Sequence, residues 1–319
     1  MANVIYRNTV NRPKTGKPQF TYTHAKSGKR ISELKRRDIE KVYIPYTWDE
    51  VEIYIGHPKM IATGMLKGQL RYMYQKDFIN KQSAKKYQRL YQFGLKLPHI
   101  KKDIAHRMAG PNNREKIIAT ALWFLTMCPV RVGNEKYLKE NNTHGLLTLH
   151  KRHIKLTSNK VCLDFIGKKK VQNYYELCIP NKGYARWLNE LHLRARPYYF
   201  EFEGRKIDAN DLNEYIQTEY GPFTAKDFRT WAANIEFIAV IRKVTTADLT
   251  SKKECNSSLK HCIESVADKL NNTVAVCKSN YICKSIIDEY QNDPQRLANF
   301  VRKSKSNEQA LMVLLKNLG

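Results

Sequence analysis

Residues 69–97 read QLRYMYQKDFINKQSAKKYQRLYQFGLKL, and the hydrophobic period changes within them. In the first part, QLRYMYQKDF, aromatic and aliphatic residues alternate with polar ones, the period of a β-strand with one face covered. From Asn80 onward, Tyr87, Leu90 and Tyr91 fall at i, i+3 and i+4 opposite a lysine-rich face, the period of an amphipathic helix. The switch predicts a boundary near residue 80, with a β-rich module over 1–79 and a larger domain over 80–319.

Upstream of the switch, KVYIPYTW (41–48) and VEIYIGHPKMIATG (51–64) carry the same alternation, predicting small antiparallel strands with little core of their own. Downstream, REKIIATALWFLTMC (114–128) is apolar nearly all round and reads as a central buried helix. A β island follows: HIKLTS (153–158), VCLDFIG (161–167) and NYYELCIP (173–180) are separated by NK and by the lysine-rich turn GKKKVQ. The rest is helical, through GYARWLNELHLRA, NDLNEYIQTEY, AKDFRTWAANIEFIAVIRKV and SLKHCIESVADKL, with Thr224 and Asp227 as a capping pair for the third. The fold class expected is α+β, a β-rich N-terminal domain plus a mainly helical domain containing a three-stranded antiparallel sheet.

At 319 residues and 42% hydrophobic content the chain exceeds the size at which single cores stop growing, in keeping with two domains. Its 56 Lys and Arg against 30 Asp and Glu give a formal charge of +26, spread along the chain, which points to a polyanionic partner. The N-terminus MANVIYRNTVNRPKTG has no apolar signal core and no window approaches the ~18 apolar residues of a membrane span, so the expectation is a soluble intracellular protein without membrane association. The seven cysteines form no CxxC and lie mostly in apolar stretches, which suits reduced thiols; the nine histidines are scattered without an HExxH pair. No metal and no cofactor are expected.

Among the nineteen tyrosines, Tyr281 in LNNTVAVCKSNYI (270–282) has an ordinary reading: if Thr273 caps a helix, Val274, Cys277 and Tyr281 share one face and the tyrosine is core. Against it stand isolated cations at turns and helix starts: Arg131 after the buried helix, Lys168 opening the GKKKVQ turn, Arg229 in the first turn of the capped helix. Each alone reads as a solvated charge or half of a salt bridge.

Taken together, RVGNEKYLKENNTHGLLTLHKRHI, FIGKKKV, KDFRTWAAN and NNTVAVCKSNYI resemble, in order and spacing, the catalytic blocks of type IB DNA topoisomerases of the small poxvirus, giant-virus and bacterial kind. YIPYTWDEVEIYI, ATGMLKGQLRYMY and KYQRLYQFGLKLPHI resemble that family's N-terminal module and its junction, so the likeness covers most of residues 40–282. It implies a tyrosine recombinase-like catalytic domain, double-stranded DNA as partner, and a catalytic pentad of Arg131, Lys168, Arg229, Asn272 and Tyr281. In the family the tyrosine forms a 3′-phosphotyrosyl link and frees a 5′-hydroxyl strand, which rotates and religates without ATP or metal.

The residue types suit those roles. Arginine offers a permanently charged planar fork to the non-bridging oxygens of a phosphodiester under attack. Lysine, protonated at neutral pH, can protonate a departing alkoxide, and tyrosine, with an ordinary pKa of ~10, needs cationic surroundings to ionise. Within GKKKV the resemblance favours Lys168 as the acid, with Lys170 as the other choice. Asn272 stands where poxvirus members have histidine and bacterial ones asparagine; it can donate to phosphate but carry no proton. Val274 replaces the family's usual proline.

Further DNA contacts implied are Arg71, Tyr72 and Tyr74 in the small module, with Lys136, Tyr137, Lys139 and Lys278 in the larger one. A monomer closing as a clamp round duplex DNA is the expected form, in a bacterial cytoplasm or at a viral replication site. Two other readings remain. A tyrosine recombinase would carry an HxxR box where this chain has Lys226-Asp-Phe-Arg229, and a non-catalytic architectural protein would bind DNA through charge alone.

Overall fold

The computed structural model describes residues 3–318 apart from Lys14 and Gly16. The chain divides into two compact units, residues 1–85 and 86–319.

In the first unit, β1 (Asn3–Asn11), β2 (Gln19–His24), β3 (Asp49–Ile55), β4 (Met60–Leu66) and β5 (Gln69–Tyr74) form one antiparallel sheet in the order β2-β1-β3-β4-β5. A short helix, α1 (Glu33–Glu40), is capped by Ser32 and contributes Ile39 to a core of Ile5, Tyr22, Ile44, Trp48, Val51, Ile53 and Ala62. Two expectations change here. KVYIPYTW is a loop and the strand begins at Asp49, because Arg7, only 6% exposed, draws the loop inward: its Nη1 donates to Ile44 O (3.1 Å) and its Nη2 to Pro45 O and Trp48 O (2.9 Å each). Backbone carbonyls satisfied by a buried arginine do not need a sheet partner. The same arginine interrupts the apolar alternation of NVIYRNTVN, which hid β1 from the sequence reading.

Helix α2 (Lys76–Ala109) is continuous through residue 80, where the period changes. The second unit continues with α3 (Arg114–Met127), in which residues 117–125 are all buried, and α4 (Glu135–Asn141). β6 (Ile154–Leu156), β7 (Lys160–Gly167) and β8 (Val171–Cys178) form a three-stranded antiparallel sheet. Helices α5 (Lys182–Arg194), α6 (Ala209–Tyr220), α7 (Ala225–Ile241), α8 (Lys252–Lys269), α9 (Val274–Asn280), α10 (Lys284–Asn292), α11 (Pro294–Lys303) and α12 (Asn307–Leu318) complete it. α7 packs on α3, α8 and α12 within one large core that includes Phe93, Phe124, Phe237 and Leu311. The architecture is α+β, as the patterning predicted.

The histidines are less scattered than their numbering suggests. His144, His150 and His153 cluster with ring centroids 4.3–5.5 Å apart, His150 and His153 stacked and His144 edge-on to both. Among the described residues no group of three or more His, Cys, Asp or Glu is arranged to hold a metal ion, and no helix is long and apolar enough to cross a membrane.

Candidate functional site

Three of the pentad residues meet at the short link 270–272 between α8 and α9, where Arg131 and Arg229 donate to the link and Asn272 belongs to it, and Tyr281 lies beside Arg229. Arg131 reaches it from the end of α3. Cys128 leaves the helix in extended conformation, Pro129 has no N–H to prolong it, and the carbonyls of Arg131 and Val132 accept from Leu146 N (2.7 Å) and Leu147 N (2.8 Å). Gly133 and Gly145 permit this approach, since a Cβ on Gly145 would lie 2.4 Å from Gly133 N. Arg131 Nη2 then donates to Asn272 Oδ1 at 2.6 Å.

Arg229 comes from the first turns of α7. That helix starts as the capping pair predicted: the Asp227 carboxylate accepts from Thr224 N (2.7 Å) and Thr224 Oγ1 (3.0 Å). Arg229 is 4% exposed, and its Nη2 donates to Leu270 O at 2.9 Å. Asn271 turns the link with φ +48°, and Asn272 N returns to Ala267 O at 2.9 Å.

Tyr281 ends the next helix. Thr273 caps α9, its Oγ1 accepting from Val276 N, and Cys277 turns fully into the core. The shared face expected for Val274, Cys277 and Tyr281 is broken at its last member: Tyr281 lies one residue past the helix, at φ −123° and ψ −45°, half-buried. Its ring centroid is 5.5 Å from Arg229 Cζ and 5.9 Å from Lys226 Nζ. The backbone around it is gripped by side chains. Asn280 O accepts from Lys86 Nζ, Tyr281 O from Asn234 Nδ2 (2.8 Å) and Ile282 O from Tyr87 Oη, while Asn234 Oδ1 accepts from Cys283 N (2.8 Å).

Lys168 lies in the β7–β8 turn, where Lys169 and Lys170 adopt φ of +63° and +58°. All three lysines are exposed at the rim of a cavity of about 610 Å³ that Arg131, Tyr137 and His144 also line. This cavity joins the lysine turn to the arginine cluster. The Lys168–Lys170 choice is not resolved by position, as all three reach the same space.

The electrostatics of the cluster are those of an anion site. Nε and Nη1 of Arg229 and Nδ2 of Asn272 are buried and have no hydrogen-bond partner among the described residues. Buried donors left unpaired are costly, more so on a cation. Burial and the neighbouring charge of Arg229 both push the Arg131 guanidinium pKa down. For the Tyr281 phenol, burial raises the pKa, but Arg229, then Arg131 and Lys226, outweigh it and hold the group below its ordinary value. A negative charge, on phosphate or on the phenol, relieves all of these at once.

Of the other predicted contacts, Tyr137 lines the cavity, Lys136 and Lys139 are exposed beside it on α4, and Lys278 is exposed on α9. In the first unit Arg71, Tyr72 and Tyr74 are exposed on the edge strand β5, the two tyrosine rings stacked at 6.1 Å and Arg71 Nη2 donating to Gln69 Oε1. Sequence reasoning missed Asn234, Lys226, Lys86 and Tyr87. Asn234 left a signal, a lone amide within the apolar α7; Lys86 and Tyr87 left none, being ordinary residues of an amphipathic helix.

A helical domain that gathers two arginines, an asparagine and a tyrosine into an anion site, with a lysine turn beside it, has the parts to hold a phosphate next to a nucleophile. The family model described as "Eukaryotic DNA topoisomerase I, catalytic core" matches residues 75–308, and the chain belongs to this type I DNA topoisomerase family. The relatives to which it is similar include type IB enzymes of viruses. DNA topoisomerase 1B of Acanthamoeba polyphaga mimivirus is 28% identical over 300 residues, covering 90% of this chain and 88% of that protein. DNA topoisomerase 1B of vaccinia virus (strain Copenhagen) is 27% identical over 251 residues, covering 76% and 74%. DNA topoisomerase 1 of Candida albicans is 23% identical over 246 residues, covering 72% of this chain and 30% of that protein.

Proposed function

We propose that this chain relaxes positive and negative supercoils in duplex DNA by cutting one strand transiently, with Tyr281 as the nucleophile. The phenol loses its proton to water, and its oxygen attacks a backbone phosphorus. A 3′-phosphotyrosyl ester forms as the bond to the 5′-oxygen breaks, and Lys168 protonates that oxygen. The freed strand swivels about the intact one; its 5′-hydroxyl then gives its proton to the lysine and attacks the phosphorus, the bond to the Tyr281 oxygen breaks, and the phenolate leaves and takes a proton back from water, restoring the chain. Ester replaces ester, so the reaction needs neither ATP nor a metal ion.

The observation that carries this reading is the set of unpaired buried donors, Arg229 Nε and Nη1 and Asn272 Nδ2, beside a tyrosine whose pKa is held down by the same cations. Arg131 and Arg229 bind the non-bridging oxygens, where charge grows during attack. Asn272, its Oδ1 already taken by Arg131, offers its amide N–H groups to one of them. On the catalytic domain (80–319) Lys136, Tyr137 and Lys139 touch the duplex backbone and base edges, with Lys278 as a further contact, and Arg71, Tyr72 and Tyr74 of the 1–79 module enter the major groove, the two closing as a monomeric clamp.

The test is relaxation of supercoiled plasmid with EDTA and without ATP. Wild type relaxes both signs of supercoil, whereas Tyr281→Phe binds DNA and relaxes neither. Equal relaxation by Tyr281→Phe would refute the assignment, and inactivity of both proteins would favour an architectural DNA-binding role.

A further inference from the structure

Beside the turn that carries Lys168 lies an amide pair, one member buried and the other half-buried, that the chemistry above does not use. Asn173, 4% exposed on β8, donates from Nδ2 to Val171 O at 2.8 Å, holding the residue with which β8 leaves the turn. Opposite it, Gly167 leaves room for the amide: a Cβ there would lie 2.3 Å from Asn173 Nδ2. Asn173 Oδ1 accepts from Asn271 Nδ2 at 2.9 Å and from Tyr175 Oη at 3.3 Å, and Asn271 Nδ2 is also 3.4 Å from Tyr175 Oη. Asn271 precedes Asn272, the residue that takes the Arg131 guanidinium. One amide–amide contact therefore ties the lysine turn to the link on which the arginines and Asn272 converge.

We propose that Asn173 and Asn271 are positioning residues for the proton-donating step: together they latch the β7–β8 turn to the phosphate-binding link, so that Lys168 meets the 5′-oxygen of the phosphate that Arg131, Arg229 and Asn272 hold. The inference rests on the proposed strand-cleavage reading. The turn needs such a hold. Lys169 and Lys170 occupy left-handed conformations that cost a non-glycine residue energy, and an exposed turn relaxes out of them unless its base is fixed. An ångström of misplacement is enough to cost about a hundredfold in a reaction that depends on alignment.

Asn271→Gly is the informative change, because glycine keeps the left-handed backbone (φ +48°) and removes only the amide. Single-turnover cleavage is compared on two duplexes, one ordinary and one with sulfur in place of the bridging 5′-oxygen at a mapped cleavage site. A thiolate leaves without being protonated, so loss of proton donation matters only on the oxygen substrate. The latch predicts that Asn271→Gly slows cleavage of the ordinary duplex at least about tenfold, the ceiling being the ~100–10,000-fold that general acid catalysis contributes, and cleaves the sulfur duplex within about twofold of wild type. Lys168→Ala shows the same pattern, and Arg131→Ala is slow on both.

Asn271→Asp, which sets a carboxylate against Asn173 Oδ1, supplies a second variant with the backbone intact; thermal melting checks the fold of each. Equal slowing on both duplexes, or wild-type rates on both, overturns the latch while leaving strand cleavage standing. If wild type cleaves neither duplex, strand cleavage itself fails and the latch falls with it.

Discussion

At Tyr281 the decisive quantity is the cost of ionising a phenol that burial alone would keep neutral. Arg229 and Lys226, 5.5 and 5.9 Å from the ring, reverse that cost and lower the pKa below its ordinary value. Since the phenolate attacks, cleavage rises with pH through that pKa, and the rising limb ends below about pH 10. Lys226→Met removes one cation and moves the midpoint to higher pH; Arg229→Ala moves it further and, by removing donors to the phosphate, also slows the plateau about 100- to 1,000-fold. Single-turnover cleavage against pH measures both. An unchanged midpoint in Arg229→Ala would mean that the phenol does not titrate in the rate. None of this proximity was visible in sequence, because Arg229 and Tyr281 are separated by the whole of α8.

Among the elements, α7 does two jobs. Its first turns present Lys226 and Arg229, and further along, Asn234, fully buried, binds the tyrosine's own carbonyl and the backbone N–H of Cys283 just after it. Asn234→Ala leaves Cys283 N and Tyr281 O without that partner. The expected cost is about 1–3 kcal/mol of stability, read from denaturant unfolding, together with slower cleavage at unchanged DNA affinity; full activity would show that the tether is dispensable.

The histidine cluster makes a separate demand on the elements leading into β6 and β7. Burial first, then His144, Arg152 and His150, press His153 down to about 4, with Asp164 opposing weakly. The unfolded chain takes up this proton near its ordinary ~6.5. Stability from a neutral His153 is therefore complete above about pH 6.5 and drains as the pH falls towards 4. His153→Gln should lose less melting temperature than wild type between about pH 7 and about pH 5; an identical slope would place the acid sensitivity elsewhere.

The elements themselves were largely legible. The lysine turn, the apolar α3 and the capped α7 follow from local patterns, whereas the 41–48 loop was misread because its carbonyls are satisfied by Arg7, some 40 residues upstream in register with nothing local to announce it. Likewise Tyr281 reads as a helical residue by period, and only the end of α9 at Asn280 shows that it projects from a helix terminus.

Over the whole molecule, the charge of +26 against a phosphate backbone sets the expected strength and salt response of binding. If about six phosphates are neutralised, affinity falls about a thousandfold between ~50 and ~200 mM salt. Filter binding or fluorescence titration over that range measures the slope, and a shallow dependence would contradict a clamp built on lysine and arginine. Each unit buries its own core, whereas the change of hydrophobic period near residue 80 falls inside α2. The gathering of Arg131, Arg229, Asn272 and Tyr281 required the fold, since residues that follow α3, lie in α7 and flank α9 share no local pattern. Most direct is the identity of the DNA-bearing residue: the covalent complex is trapped with denaturant, digested with protease and nuclease, and mapped by mass spectrometry. The expected product is a peptide carrying a 3′-linked nucleotide on Tyr281; a nucleotide on any other residue, or one joined through its 5′-phosphate, would contradict it.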